Sequence, residues 1–140
     1  MFNYIIINKD NLINNVKQVK ANNPKSKICA MVKANAYGVG QTEVVQILND
    51  YVDYFGVACF FEAVSVSKLT NKKILIVGAF EKENVDEQFS YACHSLEDVE
   101  FLINTGKTIC VHLKVNTGMN RYGFCAIKEF KTALRKIKKS

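Results

Sequence analysis

A lysine that ends a short apolar run and opens into glycines is the first group in this chain equipped to do chemistry. It lies in Met31-Val32-Lys33-Ala34-Asn35-Ala36-Tyr37-Gly38-Val39-Gly40. Pleat alternation over residues 28–33 sends Cys29, Met31 and Lys33 to one face and Ile28, Ala30 and Val32 to the other. In parallel α/β folds functional groups gather at the carboxyl ends of strands, so this amine stands in catalytic position at the rim of apolar surface. Desolvation there favours the neutral amine, which is a nucleophile toward a carbonyl. The plain alternative is a lysine that snorkels from the sheet edge into water. Gly38-Val39-Gly40 ahead of a helix start can open backbone amides to a phosphate. It matches neither G-x-x-x-x-G-K-[ST] nor G-x-G-x-x-G, because Glu43 stands where the third glycine is needed.

A second stretch, Val111-His112-Leu113-Lys114-Val115-Asn116-Thr117-Gly118-Met119-Asn120-Arg121-Tyr122-Gly123-Phe124, adds two cations. Ile109, Val111, Leu113 and Val115 alternate with Thr108, Cys110, His112, Lys114 and Asn116, giving one greasy and one polar face. In a barrel the polar face looks inward, and an inward Lys114 needs a negative partner or a modification. Arg121, in a loop with two glycines, is placed to reach a carboxylate or a phenolate oxygen; the alternative is an exposed loop arginine. His94 and His112 read as satisfied interior histidines, since no carboxylate or histidine falls at metal-site spacing beside either, and no metal is expected.

The elements that must position these groups alternate. Short apolar or alternating runs at 28–33, 54–58, 73–77, 91–94 and 108–116 predict five strands, after a β-rich N-terminal segment at 2–8. Between them lie helical patterns. One is capped by Asp10 and carries Leu12, Val16 and Val19; another opens at Gln41 or Thr42; others cover 61–69 and, weakly, 85–89. Ser95 caps a helix with Val99 and Leu102, and Ile127, Phe130, Leu134 and Ile137 trace a last amphipathic one. Parallel crossovers need such covering helices, so the pattern predicts α/β: a small doubly wound sheet or part of a barrel.

Of 140 residues 49% are hydrophobic, 23% are charged and one is Pro, which excludes a disordered chain and fits one domain over 1–140. A complete (β/α)8 barrel needs about 250 residues. The net charge of +6 comes almost wholly from residues 126–140, six bases against one acid. No stacking aromatics or RNA-binding signature accompany that tail, so it reads as a solvated helix face rather than a nucleic-acid site. Five cysteines without a C-x-x-C pair predict free, mostly buried thiols in a reducing compartment. The N-terminus lacks the basic and apolar regions of a signal peptide, and no run is long enough to span a membrane, so a cytoplasmic protein is expected.

Taken together the motifs resemble the N-terminal part of the alanine racemase family. The carriers are V-K-A-N-A-Y-G-V-G at 32–40, G-V-A-x-x-x-E-A at 56–63, I-L-I-V-G at 74–78 and H-L-K-V-N-T-G-M-N-R-Y-G-F at 112–124, with Asn15 matching an Asn in the family's opening helix. The likeness implies a partial (β/α)8 barrel of about five parallel strands, part of a barrel domain that binds pyridoxal 5'-phosphate. By it Lys33 would carry the cofactor as an internal aldimine and act as the D-face base between L-alanine and D-alanine. Tyr37 would hydrogen-bond the cofactor phosphate. Arg121 would donate to the phenolic oxygen and lie near the substrate carboxylate, and Lys114 matches a lysine that can be carried as a carbamate facing that arginine. Val39 stands where His is usual, Asn116 where Asp is common and Asn120 where Gly is common. The likeness also implies that the remaining barrel strands and a C-terminal β domain, with the L-face tyrosine acting across a homodimer, lie outside these residues. On that expectation the 140 residues alone are impaired or inactive, or serve as a non-catalytic pyridoxal-phosphate-binding module.

Overall fold

In the computed structural model, which describes residues 4–79 and 81–140, five strands form one sheet. They are β1 (Cys29–Met31), β2 (Tyr54–Val57), β3 (Lys73–Ile76), β4 (Phe89–Cys93) and β5 (Cys110–Leu113). Every neighbouring pair is parallel and the spatial order follows the chain. A doubly wound sheet reverses its strand order at a switch point. The absence of a reversal here makes the sheet an arc of a barrel, as the partial (β/α)8 expectation requires.

Helices cover one face of the arc: α1 (Lys9–Asn22), α3 (Gln41–Leu48), α4 (Phe60–Ser67), α5 (Leu96–Asn104) and α6 (Ile127–Ile137); α2 (Lys33–Tyr37) is a special turn described below. The rows Phe55–Ile74–Phe89 and Val57–Ile76–Tyr91 are in register and buried. Phe60 of α4 meets Phe89 edge-on at 5.8 Å, and Val44, Val45, Val66, Val99 and Ala133 complete this core. The other face carries the row Met31–Gly56–Leu75–Ser90–Cys110.

Ser95 caps α5 as expected, and Asp98 closes the capping box. Other expectations are corrected. The N-cap of α1 is Asn8, whose Oδ1 accepts from Asn11 N–H at 2.9 Å, not Asp10. The expected strand at 2–8 lies partly outside the described residues; in its described part Tyr4, Ile5 and Ile6 are exposed and form no strand, because no described strand pairs with them. The expected helix at 85–89 is absent. Asp86 takes Gln88 N–H at 3.0 Å and Gln88 Nε2 at 2.9 Å on its carboxylate, and this local bonding competes with the helical ladder. The same bonds hold the Asp86 carboxyl below its usual range.

All five cysteines are free, as expected, but only Cys93 is fully buried; Cys29, Cys110 and Cys125 are exposed. Barrel geometry explains two of these, since Cys29 and Cys110 lie on the face that no helix covers. Burial, with the Asp98 charge adding to it, pushes the Cys93 thiol up to about 12, so it stays protonated and inert. Among the described residues no helix is long and apolar enough to cross a membrane.

Candidate functional site

The parallel arrangement brings the carboxyl end of every strand to one rim. β1 delivers Lys33 there, two residues past Met31, and β5 delivers Lys114, one residue past Leu113. The chain then turns through Asn116, whose Oδ1 accepts from Gly118 N–H at 3.0 Å and Asn120 N–H at 3.1 Å, and this turn carries Arg121. Phe124 N–H donates to Lys114 O at 2.8 Å and closes the loop back onto the strand.

The backbone after Lys33 is unusual. Ala34, Asn35, Ala36 and Tyr37 all have φ between 50 and 58°, so α2 is one turn of left-handed helix ending at Gly38. Non-glycine residues pay roughly 1–2 kcal/mol each for this conformation, with Asn the most tolerant. Local bonds hold it: Gly38 N–H donates to Ala34 O and Asn35 O at 3.1 Å, and Asn35 Oδ1 accepts from Gln41 N–H at 2.8 Å. Gln41 Nε2 donates in turn to Val32 O at 2.9 Å, immediately before Lys33. Ala34→Gly, which elsewhere in a helix costs about 1 kcal/mol, is therefore expected to be neutral or slightly stabilising here. Urea midpoints of the two proteins check it.

The turn folds Tyr37 back toward the lysine. Lys33 is half-buried and its Nζ lies 5.8 Å from the centroid of the Tyr37 ring. Lys114, also half-buried, has its Nζ 5.6 Å from the centroid of the Tyr122 ring. Arg121 is exposed and has no hydrogen bond or ion pair among the described residues. Neither ion pair described, Lys82–Glu97 or Lys136–Glu100, includes Lys33, Lys114 or Arg121, and the Glu62 carboxylate that reaches the loop after β1 is taken up by Ala34 N–H and Ala58 N–H. Three cations on the strand ends and loops of one rim, none of them ion-paired among the described residues, suit an anionic ligand. The structure pairs Lys33 with Tyr37 and Lys114 with Tyr122; it records no contact between Lys114 and Arg121.

Of the two histidines expected in the interior, His94 is there and His112 is not. His112 is exposed, because it lies on the uncovered face of β5. His94 is buried at the end of β4, with Nε2 3.2 Å from Gly78 O and its ring stacked on Tyr122 at 4.7 Å, but Nδ1 has no hydrogen-bond partner. Nε2 must carry the proton to donate to that carbonyl. Tyr122, Gln41 and Glu62 were not among the candidate residues, and the last has a sequence signal, as the third residue of a helix following a strand.

The model for the alanine racemase N-terminal domain matches residues 7–140. The chain belongs to the alanine racemase family. It is 40% identical over 131 residues to the alanine racemase of Francisella philomiragia, covering 88% of this chain and 36% of that relative. The alanine racemase structure from Acinetobacter baumannii superposes with a TM-score of 0.85 at 29% identity, over 94% of this chain and 39% of that one. A histidine racemase from Leuconostoc mesenteroides gives a TM-score of 0.82 at 26% identity, over 94% and 38%. The chain thus spans little more than a third of the alanine racemases it matches.

Proposed function

We propose that the protein is a cytoplasmic isomerase, an alanine racemase that uses pyridoxal 5'-phosphate to interconvert L-alanine and D-alanine and so supplies D-alanine for peptidoglycan precursors. Residues 1–140 form the N-terminal part of its barrel domain, and the working enzyme is a homodimer. One observation carries the reading: the half-buried Lys33 amine shares its rim with Lys114 and Arg121, and no ion pair among the described residues involves any of the three. That donor set fits a ligand bearing an aldehyde, a phosphate and a phenolic oxygen. When bound, pyridoxal phosphate supplies an electron sink for the charge left as the substrate α-proton departs.

The chain's own residues do the rest. Lys33 Nζ would hold the cofactor through its aldehyde and would take or return the substrate α-proton on the D face. Tyr37 Oη donates to the phosphate, from a turn whose shape is set by four left-handed residues. Arg121 donates to the phenolic oxygen and orients the substrate carboxylate. Lys114 is the carbamate candidate: once deprotonated, its Nζ adds to carbon dioxide with loss of one further proton, giving an anion on the strand end that leads into the Arg121 loop. A racemase also needs a base on the L face. These residues assign only the D-face one, so turnover by the 140 residues alone is expected to be severely reduced.

The test incubates the protein with pyridoxal phosphate, reduces it with borohydride and maps the modified peptide, while alanine of each hand is assayed for racemisation. Modification at Lys33 together with racemisation, even at a severely reduced rate, supports the proposal. Modification without racemisation makes the chain a cofactor-binding module, and an unmodified Lys33 overturns the reading.

A further inference from the structure

Glu62 ties together two strand ends that the functional reading leaves unconnected. It is the third residue after the N-cap of α4, Cys59. Its Oε2 accepts from Ala58 N–H at 2.7 Å, in its own strand-to-helix loop. Its Oε1 accepts from Ala34 N–H, also at 2.7 Å, in the loop after β1. Ala34 is the residue directly after Lys33 and the first of the left-handed turn.

The equivalent place in α5 shows what a shorter side chain does. Asp98 is likewise third after the N-cap, and its Oδ2 accepts from His94 N–H at 2.7 Å and Ser95 N–H at 3.2 Å. Both bonds stay within its own loop. Glutamate has one methylene more, and at position 62 that extra length takes the second oxygen across to the neighbouring strand's turn. The carboxylate thus does two separable jobs, a local helix cap and a cross-strand clasp.

We propose that Glu62 is a positioning residue for Lys33: its carboxylate holds the strained turn at Ala34 and so fixes where the lysine amine stands on the rim. The turn has strain to release, since Ala34, Ala36 and Tyr37 gain nothing intrinsically from a left-handed backbone. A charge-assisted bond to the first amide of the turn opposes that release next to the amine. Gln41 holds the carbonyl on the other side, at Val32, so the peptide units flanking Lys33 are fixed from two helices. The role in cofactor binding rests on the function proposed above; the clasp itself does not.

Glu62→Asp in the whole chain separates the two jobs. Aspartate keeps the bond to Ala58, as Asp98 keeps its bond to His94, and cannot span to Ala34. Amide hydrogen exchange at Ala34 is expected to accelerate about 10- to 100-fold, the factor that goes with one hydrogen bond to a charged group, with Ala58 still protected. Borohydride trapping of pyridoxal phosphate on Lys33 should fall, while trapping on the remaining lysines stays constant. Glu62→Gln, which keeps one acceptor oxygen at full length, should recover part of both signals. Ala34 exchange as slow in Glu62→Asp as in the parent, or undiminished trapping at Lys33, overturns the inference. Absence of Lys33 trapping in the parent protein refutes the functional reading instead, and the exchange result then decides the clasp alone.

Discussion

Lys33→Ala is expected to abolish covalent capture of pyridoxal phosphate and to lower racemisation by at least about 10²–10⁴-fold, the contribution typical of a positioned acid–base group. Two losses coincide in this one substitution, because the proposed function makes the same nitrogen both the nucleophile toward the aldehyde and the D-face base. Lys33→Arg separates charge from nucleophilicity. It keeps a cation over Tyr37, but a guanidinium stays protonated and does not condense with an aldehyde. Both variants should therefore be silent in the trapping assay, with Arg retaining more non-covalent affinity for the phosphate. Lys114 is the internal control: it lies on the same rim, and its ammonium rests over Tyr122 rather than beside the strained turn. Capture transferred to Lys114 in Lys33→Ala, or turnover within a few-fold of the parent, refutes the assignment.

The five strands were legible because apolar runs and alternation are properties of residue type, and Ser95-x-x-Asp98 announced its helix start by chemistry alone. The segment at 85–89 misled because its apolar ends look helical, whereas Asp86 binds the backbone two residues on. Near the site, the positions of Lys33 and Lys114 at strand ends, and of Arg121 in the loop after β5, followed from the parallel topology. The left-handed turn did not, since only Asn35 among Ala34-Asn35-Ala36-Tyr37 favours a positive φ, and one Asn does not mark a run of four as glycines would. Nor did Glu62: a carboxylate in a first helical turn is ordinarily read as a local cap, and only the geometry shows its second oxygen on another loop.

The rim that results is tied from strand to strand. Glu62 links the ends of β1 and β2, His94 reaches from the end of β4 to Gly78 after β3, and Lys114 N–H donates to Cys93 O at 2.9 Å, joining β5 to β4. Between β2 and β3 the tie is again backbone, Val77 N–H donating to Val57 O at 2.9 Å, and the two ends approach closely: a Cβ on Gly78 would stand 2.3 Å from Ala58 O, a backbone atom that cannot rotate away. Gly78→Ala is accordingly expected to cost about 1–3 kcal/mol or more, by pushing the two strand ends apart. Gly56→Ala is the matched comparison. There a Cβ would also meet an atom at 2.3 Å, but that atom is the Met31 sulfur, at the end of a flexible side chain that can swing aside on the uncovered face. Equal nominal clashes should thus give unequal losses, which urea midpoints will measure. Because Ala58 also donates its N–H to Glu62, the Gly78→Ala displacement should reach the Lys33 turn and slow trapping there, whereas Gly56→Ala should leave that rate near the parent's. Equal stability losses in the two variants, or a trapping defect confined to Gly56→Ala, contradicts this picture of the rim.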